Sequence, residues 1–234
     1  MEDKKKYRHE YKYLVSAGEL EILKVRAEAI MQKDEHVNKE GRFAGIYNIR
    51  SVYFDDLADT CYLENESGTD PREKFRIRIY NHSDKRISLE LKSKRKGMCL
   101  KQSCPLSRAQ CQQLLRGEPL PEKEGYPPIL QKLLLQMKTR GLRPVVIVEY
   151  DRIPYVHPLG NVRVTMDCNI CASSECQRFF DDSLPLRPIL PPGQHILEVK
   201  WDELLPDHIY HAMNLQNLQW TSFSKFYLCR RFSR

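Results

Sequence analysis

Polar, mostly charged residues recur at every second position in six short segments: Arg8/Glu10/Lys12, Arg76/Arg78, Glu90/Lys92/Lys94, Tyr150/Arg152, Arg163/Thr165/Asp167 and Glu198/Lys200. A seventh, Ser224/Lys225, is more isolated. Residues two apart share one face of a β-strand, so each set projects from one side while Phe75, Ile77 and Ile79, Leu89 and Leu91, Val162, Val164 and Met166, or Leu197 and Val199 project from the other. The pattern predicts strands over 7–15, 46–54, 74–80, 86–94, 97–106, 145–152, 161–170 and 195–201, with 223–230 as a ninth segment. Residues 81–85 read as the loop of a hairpin. Ser16-Ala17-Gly18-Glu19 is a capping box opening a helix to about Met31, with Leu20, Leu23, Ala27 and Ile30 on one stripe. Further helices are predicted over 107–115, 129–138 and 206–218.

Such a sheet has one apolar and one cationic face. A merely solvated face mixes Thr, Ser, Gln, Lys and Glu, whereas this one is dominated by Arg and Lys with a few carboxylates. If the strands close into a barrel, helices can cover the apolar outside, and the inside becomes a charged tunnel. Buried cations without counter-charge are costly, so this lumen implies a polyanion as its occupant, and guanidinium and ammonium groups suit phosphate oxygens. The expected fold is therefore α+β: an eight-stranded antiparallel tunnel with a charged lumen, flanked by helices, in one domain over 1–234.

Composition narrows the partners little. The net charge of +7 fits nucleic acid, anionic lipid or phosphorylated substrates, and its placement is the more informative fact. Aromatics interleave with basic residues, but no RNP-like or Gly-rich nucleic-acid motif accompanies them, so nucleic acid is not expected as a partner. The Lys4–Lys6 run reads as a solvated terminus. No run of about 18 apolar residues occurs, so no membrane span is expected, and the start has neither an apolar core nor a cleavage site, which suggests a cytoplasmic protein. The eight cysteines then read as reduced thiols. Cys168, Cys171 and Cys176 have C-x2-C-x4-C spacing, but in a regular strand the first two point to opposite faces, which argues against zinc. His208 and His211, one helical turn apart, read as solvated.

In order, the motifs Arg8-His9-Glu10-Tyr11-Lys12-Tyr13-Leu14, Ser51-Val52-Tyr53-Phe54-Asp55, Phe75-Arg76-Ile77-Arg78, Leu89-Glu90-Leu91-Lys92, Tyr150-Asp151-Arg152, Val162-Arg163-Val164-Thr165-Met166-Asp167, Leu197-Glu198-Val199-Lys200 and Phe223-Ser224-Lys225-Phe226 span nearly the whole chain. Together they resemble the polyphosphate polymerase domain of the vacuolar transporter chaperone family, a branch of the triphosphate tunnel metalloenzymes. The resemblance implies transfer of the γ-phosphoryl group of ATP onto a growing inorganic polyphosphate chain, with Mn²⁺ or Mg²⁺. It implies that Arg76, Arg78, Lys92, Arg152, Arg163, Lys200 and Lys225 grip the reacting phosphates. Lys12 and Lys101 would bind substrate, as would Lys94 on the same face as Lys92, with Tyr150 and Ser224 as hydroxyl donors. Glu198 resembles the metal-binding carboxylate, and Glu10 and Glu90 would assist it or orient neighbouring cations. Hydrolytic relatives carry Glu-x-Glu-x-Lys in the first strand. Here the first position resembles Arg8, which favours holding a longer polyanion over hydrolysis. A tripolyphosphatase or nucleoside triphosphatase, and a non-catalytic module binding polyphosphate or inositol phosphates, are the alternatives. No phosphate-sensing SPX extension is recognisable, so regulation, or export through a membrane partner, would need other proteins.

Overall fold

A computed structural model describes residues 7–37 and 40–233, which leaves the Lys4–Lys6 run outside the described residues. In chain order its elements are β1 (His9–Ser16), α1 (Ala17–Ile30), β2 (Gln32–Lys33), β3 (Tyr47–Asp55), α2 (Thr60–Glu66), β4 (Arg72–Tyr80), β5 (Ser83–Arg95), β6 (Met98–Leu106), α3 (Arg108–Leu115), α4 (Pro128–Arg140), β7 (Arg143–His157), β8 (Val162–Ser173), β9 (Arg187–Pro188), β10 (Gln194–Trp201), α5 (Asp207–Ala212), β11 (Gln219–Trp220) and α6 (Lys225–Arg231).

The eight longer strands pair antiparallel in the order β1-β10-β8-β7-β3-β4-β5-β6, and the two-residue strands β2, β9 and β11 attach to β7, β8 and β1. The two ends of this order meet at one bridge, where Arg8 N–H donates to Cys99 O at 3.0 Å and Cys99 N–H to Arg8 O at 3.1 Å. The sheet therefore curls into a tunnel whose β1–β6 seam is this bridge among the described residues, rather than a barrel closed by a continuous ladder.

Local chemistry explains most boundaries. Ser16 caps α1 as its sequence predicts: Ser16 N–H donates to Glu19 Oε2 at 2.7 Å and Glu19 N–H to Ser16 Oγ at 3.3 Å. Leu20, Leu23 and Ala27 of that helix are buried, with Ile30 packed at their margin. Asn81 and His82 both adopt positive φ (51° and 56°), as a two-residue hairpin turn requires, so β5 starts at Ser83, earlier than expected. The unpredicted α2 follows from Asp55 and Asp56. Their carboxylates end β3 and accept from Thr60, Cys61 and Tyr62 N–H at 2.8–3.0 Å.

Two predictions need correction at the C-terminal end. Residues 223–230 do not continue the sheet: Ser224 caps α6, its Oγ accepting from Tyr227 N–H at 3.3 Å. The helix predicted over 206–218 stops at Ala212, and a short turn then leads into β11. A third correction concerns β8. Asn169, at positive φ (52°), lies where the β7–β8 register shifts, so Cys168 and Cys171 oppose Asp151 and Glu149, two residues apart, and share a face after all. All eight cysteines are among the described residues, and none is disulfide-bonded.

Helices cover the outside of the tunnel. Ile129, Leu130, Leu133, Leu134 and Met137 of α4, with Cys111, Leu114 and Leu115 of α3, bury Phe75, Ile77, Leu89 and Leu91. On the other side α1 and α5 bury Val164, Met166, Leu197 and Val199. Each fully buried Leu, Ile or Phe contributes about 1.5–3 kcal/mol. The outer face also carries charge. Arg50, 1% exposed, bonds Glu149 at 2.5 Å and the carbonyls of Phe179 and Asp181, while His82 bridges Glu149 and Asp182. Among the described residues no helix is long and apolar enough to cross a membrane.

Candidate active site

Directly opposed residues of an antiparallel pair lie on the same face, so the register shows what the tunnel contains. Arg76 opposes Glu90 and Tyr53, Arg78 opposes Ser51, and Lys92 opposes Lys74 and Lys101. Lys12 opposes Glu198, Glu10 opposes Lys200, and Arg152 opposes Asp167. The same face carries Ile49, Val146, Val148 and Ile196, so it is not charged throughout. Phe223, Phe226 and Cys229 pack against these residues and against Tyr53 and Tyr150. The lumen is thus divided: α6 and its neighbours fill an apolar part, and a cationic part remains open as a cavity of about 220 Å³.

Ten Lys and Arg side chains line that cavity against three carboxylates, Glu10, Glu73 and Glu198. Each carboxylate facing the cations is heavily engaged. Glu10 pairs with Lys12 at 2.5 Å and Lys92 at 2.9 Å, with Lys200 at 3.9 Å. Glu198 pairs with Lys200 at 2.8 Å, Lys225 at 3.0 Å and Arg152 at 3.2 Å. Behind them, Asp167 accepts both arms of Arg152 at 2.6 and 2.7 Å and also holds Lys225 at 2.5 Å. Glu90 accepts from Arg76 Nε at 2.7 Å and pairs with Lys101 at 3.1 Å. Such bidentate, charge-assisted contacts fix guanidinium groups before any ligand arrives.

Burial alone would raise these carboxyl pKa values. The facing cations outweigh it and hold Glu10 and Glu198 well below the usual range, with Glu90 and Asp167 also lowered. Burial pulls the Lys200 ammonium down despite Glu198 and Glu10, whereas Asp167 and Glu198 overcome burial and push Lys225 up. Burial of the Tyr53 hydroxyl is likewise overridden, by Arg76 and Arg78, and its pKa is lowered.

Most residues singled out by sequence come together here. Glu10, Lys12, Arg76, Arg78, Lys92, Lys94, Tyr150, Arg152, Glu198, Lys200, Ser224 and Lys225 line the cavity. The Tyr150 hydroxyl accepts from Arg78 at 3.3 Å, and its ring lies under Arg152 (5.2 Å) and Lys225 (4.9 Å). Three residues stand apart. Arg163 is drawn to Asp34 at 2.8 Å and to the Tyr47 hydroxyl, Lys101 reaches Glu90 from a half-exposed position, and Glu90 sits behind Arg76. Arg8 also leaves the cavity, binding Asp202 at 2.8 Å and Asn161 O at 2.5 Å. Sequence reading gave no role to Asp167, Arg72, Lys74, Tyr53 or Asn65. Arg72 and Lys74 continue the parity of Arg76 and Arg78, so alternation could have found them. Asn65 lies on the unpredicted α2 and left no such signal.

The VTC domain family model matches residues 7–233. No curated protein matches the chain. Among solved structures, HpAC1 from Hippeastrum, a candidate adenylyl cyclase described by its dominant triphosphatase activity, aligns over 97% of this chain and 96% of its own at 13% identity, with a TM-score of 0.52. A candidate adenylate cyclase from Bacillus halodurans aligns over 90% of this chain and 88% of its own, at 15% identity and a TM-score of 0.49. The HpAC1 likeness is one of fold, and it agrees with the tunnel described above. With a family model covering every described residue, the chain belongs to the VTC domain family.

Proposed function

We propose that this cavity extends inorganic polyphosphate with ATP as donor. The observation that carries the reading is the lining itself, ten cations against three carboxylates around one cavity. An ionised terminal oxygen of the acceptor chain attacks the γ-phosphorus. The new P–O bond forms as the bond to the β–γ bridging oxygen breaks, and ADP leaves with that electron pair. The acceptor is already ionised, so the protein's task is to position phosphates and stabilise spreading charge. In this reading Arg76, Arg78, Arg152 and Lys225 hold the reacting phosphoryl group, and Lys12, Lys92 and Lys200 hold the neighbouring phosphates.

Glu198 and Glu10 lie diagonally across the β1–β10 pair, face one cavity and are both held ionised, a donor set that suits a hard cation such as Mg²⁺ or Mn²⁺. Such an ion, when bound, would neutralise charge on the β- and γ-phosphate oxygens. Arg8 supports chain growth over hydrolysis, since its side chain turns to Asp202 and leaves no carboxylate at that place, just before β1, to handle water.

The test is incubation with ATP and Mg²⁺ or Mn²⁺, with and without a short polyphosphate primer, resolved on a gel beside Glu198→Ala. Long chains and ADP, lost in the variant, are expected. Orthophosphate alone would make the protein a hydrolase, as the triphosphatase activity of HpAC1 would suggest. Saturable binding without turnover would make it a binding module.

A further inference from the structure

Most cations lining the cavity have a carboxylate within salt-bridge distance: Lys12 and Lys92 have Glu10, Arg76 and Arg78 have Glu90, and Arg152, Lys200 and Lys225 have Glu198 or Asp167. Lys74 has none among the described residues. It lies on β4 two cross-strand pairs inward from Arg72 and Lys94, on the same face as they are, directly opposite Lys92. Its ammonium meets neutral groups: Ser224 Oγ at 3.3 Å, Asn65 Oδ1 at 3.4 Å and the Phe226 ring at 5.4 Å. The charged groups around it are Lys12 from β1, Arg72 and Arg76 from its own strand and Lys92 from β5, while α2 and α6 offer Asn65, Ser224 and Phe226. Its chain neighbour Glu73 is committed to Ser93 at 3.0 Å and Lys132 at 2.5 Å. Lys74 is therefore a nitrogen donor, aimed at the cavity, with no counter-charge among the described residues.

We infer that Lys74 binds a phosphate oxygen of the substrate, and that the polyanion enters together with a proton which Lys74 keeps while the substrate stays. The inference rests on the polyphosphate reading and adds a proton linkage to it. Burial first, and then Lys92, Lys12, Arg72 and Arg76, hold the ammonium of the empty protein well below its usual range. A bound phosphate reverses the balance, because an anion beside Lys74 favours its charged form. Between the depressed value and the ordinary value of about 10.4, binding takes up a proton, and affinity falls as pH rises through that window.

Titration calorimetry with inorganic tripolyphosphate, without divalent metal, at pH 8 in two buffers of different ionisation heat, reads the linkage independently of turnover. Native protein should take up more protons than Lys74→Arg, which keeps a permanent charge and should bind with similar affinity. Lys74→Met should bind about ten- to a hundredfold more weakly, the loss expected when a charge-assisted hydrogen bond is removed. Equal proton uptake by native protein and Lys74→Arg, or native affinity in Lys74→Met, would overturn the inference while leaving the polyphosphate reading intact. Absence of tripolyphosphate binding by native protein would overturn both.

Discussion

Glu90 is the residue on which two of the site's arginines depend. It is 2% exposed, sits behind Arg76 rather than in the cavity, and also meets Lys101 and, at 4.0 Å, Arg78. Removing one member of a buried ion network leaves the others uncompensated, which costs about 3–5 kcal/mol. Glu90→Gln should therefore destabilise the protein by roughly that amount at pH 7. The pH dependence has a definite sign. Burial would raise the carboxyl, but Arg76, Arg78 and Lys101 lower it, so its stabilisation is complete above the unfolded value of about 4.3 and is lost as pH falls through the folded value. Denaturant unfolding at pH 7 and again below pH 4 should show the gap between native protein and variant narrowing in acid, and a gap constant with pH would refute the linkage. At this scale parity made the cation set legible, because Arg76, Arg78 and Lys92 alternate with Phe75, Ile77 and Leu91. Parity could not reveal that Arg163 leaves the cage, since its partner Asp34 lies far away in sequence, just past β2.

Helix α6 shows where an element-level reading fails. Residues 223–230 carry Phe223, Phe226 and Tyr227, which favour strands, and no apolar stripe long enough to specify a helix. The segment is helical because Ser224 caps it and because Phe226 and Cys229 find an apolar place against Tyr53, Val146 and Val148 inside the tunnel. That environment is tertiary and leaves no local trace. By contrast the capping box of α1, the apolar stripe of α4 and the β4–β5 hairpin are local signals, and each formed near its expected place. Phe226 is 1% exposed, with its ring 5.3 Å from that of Tyr53. Phe226→Ala should cost about 3–5 kcal/mol in chemical denaturation. It should also weaken tripolyphosphate binding, because Lys225 and Ser224 stand on the same turn. A variant with native stability would mean that α6 does not anchor the apolar part of the lumen.

At the scale of the whole molecule, the sign and size of the net charge find their meaning in one place. Ten cations line the cavity against three carboxylates, with Glu90 and Asp167 behind them, so most of the chain's formal net charge of +7 is gathered here. Composition gave the magnitude, and only the curled sheet, whose ends meet at Arg8 and Cys99, gathers it into one cavity. A folded state that concentrates like charge carries self-repulsion which the unfolded chain relieves by expanding. A polyanion that binds only the folded state should therefore stabilise it. At a hundredfold excess over Kd the gain is about 2.7 kcal/mol, which for a domain of this size raises Tm by roughly 5–10 °C. The gain should shrink as salt rises, because screening weakens the attraction between the ligand and the partly open cavity. Thermal unfolding with tripolyphosphate at low and high sodium chloride checks this. A shift that is absent, or equally large at both salt concentrations, would mean that the surplus charge is not what holds the ligand.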